Sequence, residues 1–269
     1  MNKGFWIDRQ RNMYKSYNDF IKDINSKNSV SKYIYAQNPY QVYVDIINSA
    51  INNYDVVLLD SDFSEKEINN LGIDYSNLED FESLQSVQVS DYNQLIEILK
   101  SNIDTWKLTL FTSGTTGRPK QVNHTIRTLT RAVKQREHHK SDIWAFAYNP
   151  THFAGLQVFF QAFLNQNQII YIFDEKKEKI QNLLEQYRVT NISATPTFYR
   201  TLIPYLDADI PGIKRITFGG EKFDNNLACL LKKHFSNAIV KNIYASTEAG
   251  SLFSSEGEHF YINAENSKY

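Results

Sequence analysis

Apolar and polar positions along this chain recur with two different periods, which predicts helices and strands in alternation. The segment 42–51, VYVDIINSAI, places its apolar residues three and four positions apart, as one face of a helix requires. The run VVLLD at 56–60 follows, and an unbroken apolar run of that length is typical of a buried strand. The segment 61–104 is polar, and only 93–100 has helical spacing.

The alternation becomes regular after residue 105. Strands are predicted at WKLTLF, IWAFAY, QIIYIF, NISATP, RITFGG and IVKNIYA. Helices are predicted over 125–139, within 153–164, at KIQNLLEQY and around NNLACLLKKHF. Strands separated by helices of about ten residues favour mainly parallel sheets covered by helices, so the predicted fold class is α/β. Ligands of such folds bind outside the carboxyl ends of the strands.

Composition indicates a globular protein and excludes several classes of partner. The 269 residues suffice for one large domain or two small ones, and 42% of them are hydrophobic. The formal net charge is -1, and no block of Lys and Arg is long enough to follow a nucleic acid, so no nucleic-acid partner is expected. Basic residues gather only over 127–140, where we expect the solvent-exposed face of a helix.

The single cysteine and the N-terminus indicate the cellular compartment. Cys229 alone excludes an internal disulfide, and its position in the apolar run LACLL predicts a buried, unreactive thiol. The N-terminus lacks the apolar stretch of a signal peptide, and no window approaches a membrane span. We therefore expect a cytoplasmic protein with no membrane partner.

The stretch FTSGTTGRPK, directly after a predicted strand, is the most informative motif. Gly114 and Gly117 permit backbone angles and close approaches that other residues do not. Successive backbone N–H groups form an anion-binding concavity, and Lys120 adds a compact positive charge. Hydroxyl donors lie at Ser113, Thr115 and Thr116. The spacing excludes a Walker-type loop, because no Lys followed by Ser or Thr stands where one is required. The stretch therefore predicts a polyphosphate-binding loop of another kind.

The stretch NIYASTEAG follows the last predicted strand and suggests a nucleotide with a metal ion. A carboxylate near phosphates is repelled unless a cation lies between them, so Glu248 predicts Mg²⁺. Thr247 can bind a phosphate or carbonyl oxygen. Tyr244 offers a ring on which a base can stack, and the amide of Asn242 can pair with the edge of adenine.

Two further segments have both a functional and a structural interpretation. TFGGEKF places two glycines at a strand end, where backbone can lie flat against a planar ligand: Gly219 and Gly220. Glu221 is either a pocket residue or the N-cap of the following helix. NPTHFAGL places His152 between a strand and an apolar helix. His152 is either structural or, with Phe153 and Gly155, part of a pocket wall near a carboxylate.

In this order, the four segments resemble the large N-terminal domain of adenylate-forming enzymes. These include acyl- and aryl-CoA synthetases, adenylation domains of nonribosomal peptide synthesis, and luciferases. TSGTTGRPK is similar to the phosphate-loop signature of the family, and YASTEAG to its Tyr-Gly-x-Thr-Glu signature. TFGGEKF resembles the Gly-Gly-Glu segment beside adenine, and PTHFAGL the helix start at the acyl pocket. The resemblance implies layered, mainly parallel sheets flanked by helices. It also implies one domain over 1–269, with approximate subdomains 1–105 and 106–269.

The resemblance implies a two-step reaction. A carboxylic acid attacks the α-phosphate of ATP to give acyl-AMP and pyrophosphate. The thiol of coenzyme A or of a carrier-protein phosphopantetheine then accepts the acyl group. At the positions that match the phosphate-loop signature of the family, the resemblance implies that the following residues hold the β- and γ-phosphates: Thr112, Ser113, Gly114, Thr115, Thr116, Gly117 and Lys120.

The same resemblance assigns the remaining roles. Lys120, Thr247 and Glu248 would be catalytic, with Thr247 on the α-phosphate and Glu248 on Mg²⁺. The residues assigned to the adenosine part of ATP or AMP are Gly219, Gly220, Glu221, Asn242, Tyr244 and Ala245. The carboxylate end of the acyl pocket would be lined by His152, Phe153 and Gly155.

Departures from the family pattern leave several interpretations open. Gln121 and Ala245 stand where the family usually has Gly, and the sequence ends at Tyr269, before the ribose-binding Asp and the small C-terminal domain with its Lys. The chain is then a truncated fragment, a large domain completed by a separate protein, or a degenerate paralogue. An acid-activating ligase, a non-catalytic nucleotide or acyl-adenylate binding module, and a structural protein all remain as functions. The identity of the acid is not legible.

Overall fold

The computed structural model describes residues 3–83, 87–112, 120–248, 250–257 and 259–260. The chain forms two compact units. Unit 1 comprises Met1–Trp6, Tyr14–Val133 and Asn149–Gln161, and unit 2 comprises Ile7–Met13, Lys134–Tyr148 and Ala162–Tyr269. Strands β1 (Gly4–Asp8) and β2 (Met13–Ser16) each contain residues of both units. The division into subdomains 1–105 and 106–269 stays a prediction.

Unit 1 contains a small mixed sheet with helices around it. Its elements in chain order are α1 (Tyr17–Asn25), β3 (Ser29–Ser31), β4 (Tyr33–Ile34), α2 (Pro39–Ile51), β5 (Val56–Leu58), α3 (Glu65–Asn70), a 3-10 helix (Tyr75–Glu79), β6 (Phe81–Ser83), α4 (Tyr92–Ser101), β7 (Leu108–Thr112), β8 (Lys120–His124) and α5 (Ile126–Thr130). The four-stranded sheet has the order β4-β5-β7-β8, in which only β8 is antiparallel to its neighbour. Strands β3 and β6 form a separate antiparallel pair.

The helices of unit 1 begin where the sequence supplies a cap. Ser16 starts α1 with a capping box, because its hydroxyl accepts from Asp19 N while the Asp19 carboxylate accepts from Ser16 N. Asn38 caps α2, and Pro39 occupies the first helical position, where a missing N–H costs nothing. Helix α2 is apolar nearly all round and is therefore buried on most of its surface.

Unit 2 is built on a parallel sheet. It contains β9 (Ile143–Ala147), β10 (Gln168–Tyr171), α7 (Lys177–Gln186), β11 (Asn191–Ala194), α8 (Pro196–Leu202), β12 (Arg215–Phe218), α9 (Asn225–Lys232), β13 (Ile239–Ser246) and β14 (Gly250–Ser255). Helix α6 (Phe153–Phe163), between β9 and β10, begins in unit 1. The order of these strands is β14-β13-β12-β11-β9-β10, and β14 alone among them runs antiparallel to its neighbour.

The core of unit 2 covers one face of this sheet. Ala145, Ile192 and Ile216 from three strands join apolar residues of α7, α8 and α9, which are Ile180, Leu183, Leu184, Phe198, Tyr199, Leu202, Leu227 and Leu231. The stripe predicted at KIQNLLEQY supplies the contribution of α7. Burial of this apolar surface favours the parallel sheet, whose strands are joined by these helices.

The predicted helix over 125–139 is wrong in its length. Helix α5 ends at Thr130, and a separate 3-10 helix forms at Glu137–His139. His139 is only 4% exposed, and its Nδ1 atom lies 2.8 Å from Asp142 Oδ2. The other basic residues over 127–140 are exposed as predicted, but they do not lie on one helix, because propensity yields to tertiary contacts.

The prediction of a buried thiol at Cys229 is also wrong, since Cys229 is exposed. The buried residues of α9 are Leu227 and Leu231, four positions apart. Cys229 lies midway between them in sequence, which turns its side chain to the opposite side of the helix. Among the described residues, no helix has both the length and the apolarity needed to cross a membrane.

Candidate functional site

The two ends of the predicted phosphate loop are neighbours in unit 1. Thr112 is the last residue of β7, Lys120 is the first of β8, and the antiparallel register pairs them directly. Strand β8 was not predicted from the sequence. The loop residues Ser113, Gly114, Thr115, Thr116 and Gly117 lie outside the described residues. Their roles stay predictions.

His152 belongs to a hydrogen-bonded cluster in unit 1. Its Nε2 atom lies 2.7 Å from Oδ2 of Asp60, which follows β5. Asn149 Nδ2 donates to Asp60 Oδ1 at 3.2 Å, while Asn149 Oδ1 accepts from the backbone N–H and the hydroxyl of Thr151. The side chain of Asp60 is 15% exposed and that of His152 is 61% exposed. The cluster thus holds an accessible imidazole in one orientation.

The environment of Asp60 favours its charged form. Burial by itself raises the pKa of this carboxyl group, but the hydrogen bonds from His152, from the backbone N–H of Asp62 and from Asn149 outweigh it. The net effect holds the pKa of Asp60 below its ordinary value. Sequence reasoning missed Asp60, although a carboxylate directly after a buried strand is a signal that could have identified it.

Gly155 lies where helix α6 packs against the preceding loop. A Cβ atom at this position would overlap the carbonyl oxygen of Asn149 and would lie 3.2 Å from Pro150 Cα. Tyr43 Oη holds the same loop by donating to the carbonyl of Pro150 at 3.2 Å. Phe153 is buried, and its ring centroid lies 5.1 Å from that of His124. Close backbone packing therefore explains Gly155, and its role in an acyl pocket stays a prediction.

Gly219 and Gly220 form a compact turn after β12 in unit 2. Gly220 has φ +82°, a left-handed conformation that favours glycine. A Cβ atom at Gly219 would lie 3.0 Å from Oη of Tyr148, the residue that follows β9. Burial raises the pKa of Tyr148, so the phenol stays protonated. Both glycines thus have a structural reason, and their contact with adenine stays a prediction.

Glu221 caps a helix, but not the one predicted. Its Oε2 atom accepts from the backbone N–H of Thr197 at 3.0 Å and from the Thr197 hydroxyl at 2.6 Å, in the first turn of α8. Burial raises the pKa of Glu221, yet these bonds outweigh it and lower the pKa overall. The N-cap of the following helix, α9, is Asp224, so that alternative for Glu221 is wrong.

The last predicted motif occupies β13 and the turn that follows. Asn242 is 4% exposed, and its Nδ2 atom donates to the carbonyl of Gly257 at 3.2 Å. The ring of Tyr244 is 52% exposed and lies 5.8 Å from that of Phe260. The strand register shifts between Tyr244 and Ala245, where an irregularity bends the strand. Thr247 and Glu248 lie in the turn between β13 and β14.

The described residues limit the ways in which a metal could bind. They contain no group of three or more His, Cys, Asp and Glu side chains that could hold an ion. Glu248, the residue predicted to bind Mg²⁺, is exposed in the turn after β13. A single exposed carboxylate is compatible with Mg²⁺, which keeps several waters and is often bound through one carboxylate and substrate phosphates.

Comparison with known proteins gives a family match over most of the chain. A family model described as AMP-binding enzyme matches residues 47–267. Bacitracin synthase 3 of Bacillus licheniformis is 27% identical over 158 residues, covering 55% of this chain and 2% of that protein. Malpibaldin synthetase of Mortierella alpina is 26% identical over 176 residues, covering 63% of this chain and 3% of that protein. The matched segments thus span only a small part of these relatives.

Solved structures share the fold. The inhibitor-bound N-terminal domain of FACL13 from Mycobacterium tuberculosis aligns with a TM-score of 0.70, at 15% identity, over 94% of this chain and 74% of that one. O-succinylbenzoate coenzyme A synthetase from Bacillus subtilis, in complex with ATP and magnesium ion, aligns with a TM-score of 0.69 at 16% identity, over 94% and 59% of the two chains. The predicted α/β fold class is confirmed.

We expect Gly155→Ala to destabilise the protein by about 1–3 kcal/mol, the cost of overpacking a filled position. The added methyl group would contact the backbone of Asn149, which cannot move away like a flexible side chain. Urea unfolding of the full chain measures the change. Gly212→Ala is the matched control, because its Cβ atom would meet only Val189 O at 4.0 Å. Equal stability of Gly155→Ala and wild type would contradict the packing described.

We expect Asp60→Asn to lower the free energy of unfolding by about 1–3 kcal/mol at neutral pH, because it removes a charged hydrogen-bond acceptor. The folded pKa of Asp60 is lowered, so its contribution is present above the unfolded pKa of about 4 and is lost as pH falls through the folded value. The difference from wild type should therefore shrink below pH ~4.

Urea unfolding at a series of pH values tests this dependence. Asp62→Asn is the control, because it removes a neighbouring charge while the backbone N–H of Asp62 still donates to Asp60. A difference between Asp60→Asn and wild type that stays constant with pH would show that the carboxylate charge of Asp60 does not stabilise the cluster.

Proposed function

Because the chain belongs to the AMP-binding enzyme family, we propose that it activates a carboxylic acid with ATP as part of an acid–thiol ligase. The products would be acyl-AMP and pyrophosphate, and the acyl group would pass to the thiol of coenzyme A or of a carrier-protein phosphopantetheine. The observation that carries this proposal is the family match over 47–267, which includes all four motif segments from the phosphate loop to the Thr–Glu pair.

The proposed first step is an in-line displacement at the α-phosphorus of ATP. A carboxylate oxygen of the acid forms a bond to phosphorus while the bond to the bridging oxygen breaks, and that electron pair leaves with pyrophosphate. The phosphate loop, with Lys120 and the backbone N–H groups beside it, would hold the β- and γ-phosphates as negative charge moves onto them. Thr247 would donate to an α-phosphate oxygen, which keeps phosphorus oriented toward the acid.

Mg²⁺, when bound, would supply positive charge that offsets the charge developing on pyrophosphate. Glu248 is the residue proposed to hold it. This assignment is supported by the exposure of the carboxylate in a turn directly after Thr247. The solved synthetase from Bacillus subtilis named above was bound to ATP and magnesium ion, which supports the same pairing of ligands here.

Tyr244 and Asn242 are proposed to recognise the adenine base. The exposed ring of Tyr244 can stack on a purine, which buries apolar surface of both partners. The amide nitrogen of Asn242 is bound to Gly257, which leaves its carbonyl oxygen as the group that would accept from the amino group of adenine. Gly219 and Gly220 would provide the other wall, with Glu221 and Ala245 beside them.

His152 is proposed to lie at the carboxylate end of the acyl pocket, with Phe153 and Gly155 behind it. Its exposed side chain supports this placement, and Asp60 would be a positioning residue that fixes the orientation of the imidazole ring. We further propose that a C-terminal domain completes the active site, from a separate protein or from another part of a longer chain. An ATP-dependent reaction of this type is consistent with a cytoplasmic location.

The test is pyrophosphate release from MgATP with a panel of carboxylic acids, with and without an added C-terminal domain. We expect release with at least one acid, and a decrease of about 10²–10³-fold in Lys120→Ala and in Glu248→Ala, because each removes a charge that stabilises the transition state. Lys100→Ala and Glu97→Ala are matched controls. They remove the same kinds of charge from an exposed ion pair on α4 and should leave the rate unchanged.

Two outcomes would contradict the proposed function. Binding of ATP measured by calorimetry, without pyrophosphate release under any condition, would indicate a non-catalytic nucleotide-binding module. Absence of any nucleotide binding would indicate a structural role. Release that is unaffected in Lys120→Ala and in Glu248→Ala would instead contradict the assignment of these two residues.

A further inference from the structure

Cationic side chains gather near the amino ends of the parallel strands of unit 2. They form a basic cluster consisting of Lys134, Arg136, Arg215 and Lys241. Arg215 is the first residue of β12, and Lys241 lies in the first half of β13. Of the residues proposed to bind ATP in this unit, Gly219 and Gly220 follow the carboxyl end of β12, and Thr247 and Glu248 follow that of β13. The basic cluster therefore lies at the other edge of the sheet.

The strand register places the members of this cluster on one face of the sheet. Thr217 pairs with Lys241, so both side chains point to the same face. Arg215 is two residues before Thr217 and shares that face, while Ile216 between them points into the core. Asn191 pairs directly with Arg215, so its side chain lies beside that of Arg215 on the same face.

The positive charges of the basic cluster repel one another. Burial, and then the charges of the other three members, lower the pKa of Lys134. The nearest described carboxylate to Arg215 is that of Asp142, whose Oδ2 atom lies 3.8 Å from Arg215 Nη1. The same oxygen lies closer to His139 Nδ1, at 2.8 Å. Asp142 is thus shared between His139 and Arg215, and a further anion would lower the mutual repulsion of Arg215 and Lys241.

The buried side-chain amide of Asn191 is a second and independent source of unfavourable free energy. It is 1% exposed, and neither its amide nitrogen nor its amide oxygen has a hydrogen-bond partner among the described residues. A buried amide without partners costs about 1–3 kcal/mol, and such groups are rare in folded proteins. Two residues further along the same strands, Ser193 pairs with Thr217, and the Thr217 hydroxyl donates a hydrogen bond to the Ser193 hydroxyl. The Asn191 amide, which has no partner among the described residues, thus lies beside Arg215.

We propose that the basic cluster and Asn191 together form a binding site for the phosphate group of a small molecule. A phosphate oxygen has only acceptor sites, so it can accept from the guanidinium of Arg215, from the ammonium groups and from the Asn191 amide at once. A dianion also offsets the mutual repulsion of several cations, which a single carboxylate does not. A small ligand is favoured over an acidic protein surface, because the amide of Asn191 is only 1% exposed.

Nuclear magnetic resonance of the ¹⁵N-labelled full chain tests this site through the side-chain amide of Asn191, its least accessible group. Titration with inorganic phosphate, and separately with glycerol phosphate as a monoester, should shift the side-chain amide signals of Asn191 in a saturable way. Stronger binding of the monoester would identify an esterified phosphate as the ligand class, and equal binding would identify free phosphate. The Lys120→Ala variant should show the same shifts, since Lys120 belongs to the proposed ATP site in unit 1.

Substitutions in the basic cluster test which side chains bind phosphate. Arg215→Gln and Lys241→Gln should each weaken phosphate binding about tenfold, the effect of losing one charged hydrogen bond. Lys232→Gln, at the exposed end of α9, removes the same charge elsewhere in unit 2 and should bind like wild type. Lys241→Gln also serves as the second variant if Arg215→Gln fails to fold, because Lys241 makes no ion pair with Asp142.

Several results would overturn the inference. Asn191 signals that do not move with phosphate would exclude the site. Shifts that sodium chloride reproduces at matched ionic strength would mean charge screening rather than binding. Cluster variants that bind phosphate as wild type does, or Asn191 shifts that are lost in Lys120→Ala, would assign the observed phosphate binding to another part of the chain.

Discussion

The in-register parallel pairing of β11, β12 and β13 is the constraint on which the arrangement of unit 2 depends. It brings Asn191, Arg215 and Ile239 into one row and Ala194, Phe218 and Asn242 into another. A shift by one residue would move every side chain of a strand to the opposite face, exposing the core residues. The apolar face packed by α7, α8 and α9 therefore determines both what lies at the carboxyl ends and which cations meet at the amino ends.

In unit 1, polar contacts between loops hold the cluster around His152. Asp60 joins the end of β5 to the loop before α6 through bonds to Asn149 and His152. Gly155 lets the first turn of α6 lie against the same loop. These contacts orient an accessible imidazole without burying it. The same cluster explains why a carboxylate next to a buried strand keeps its charge, since its hydrogen bonds outweigh the effect of burial.

The elements that could be predicted from the sequence are those whose apolar residues recur at regular spacing. The strands and helices predicted after residue 140 follow apolar patterns, and the structure has them with small changes in their ends, but helix α8 and strand β14 were not predicted. Strand β8 was missed because its sequence, KQVNH, is mostly polar and is ordered by pairing with β7. The thiol of Cys229 was misplaced because an apolar segment does not reveal which side of a helix faces the core. Asp60 was missed because its partner His152 lies 92 residues away, and only the fold brings them together.

The two groups of anion-binding candidates in this chain differ in how their binding free energy would arise. At the proposed ATP site, Lys120 stands beside a Gly- and Thr-rich stretch whose backbone N–H groups and hydroxyls would contribute. In the basic cluster, by contrast, the sheet register holds Arg215 and Lys241 near each other whether or not a ligand is bound. Relief of that repulsion then adds to the attraction for an anion. The apolar core on one face of the sheet fixes the strand register. That register in turn places Arg215 and Lys241 near each other on the opposite face before any ligand binds.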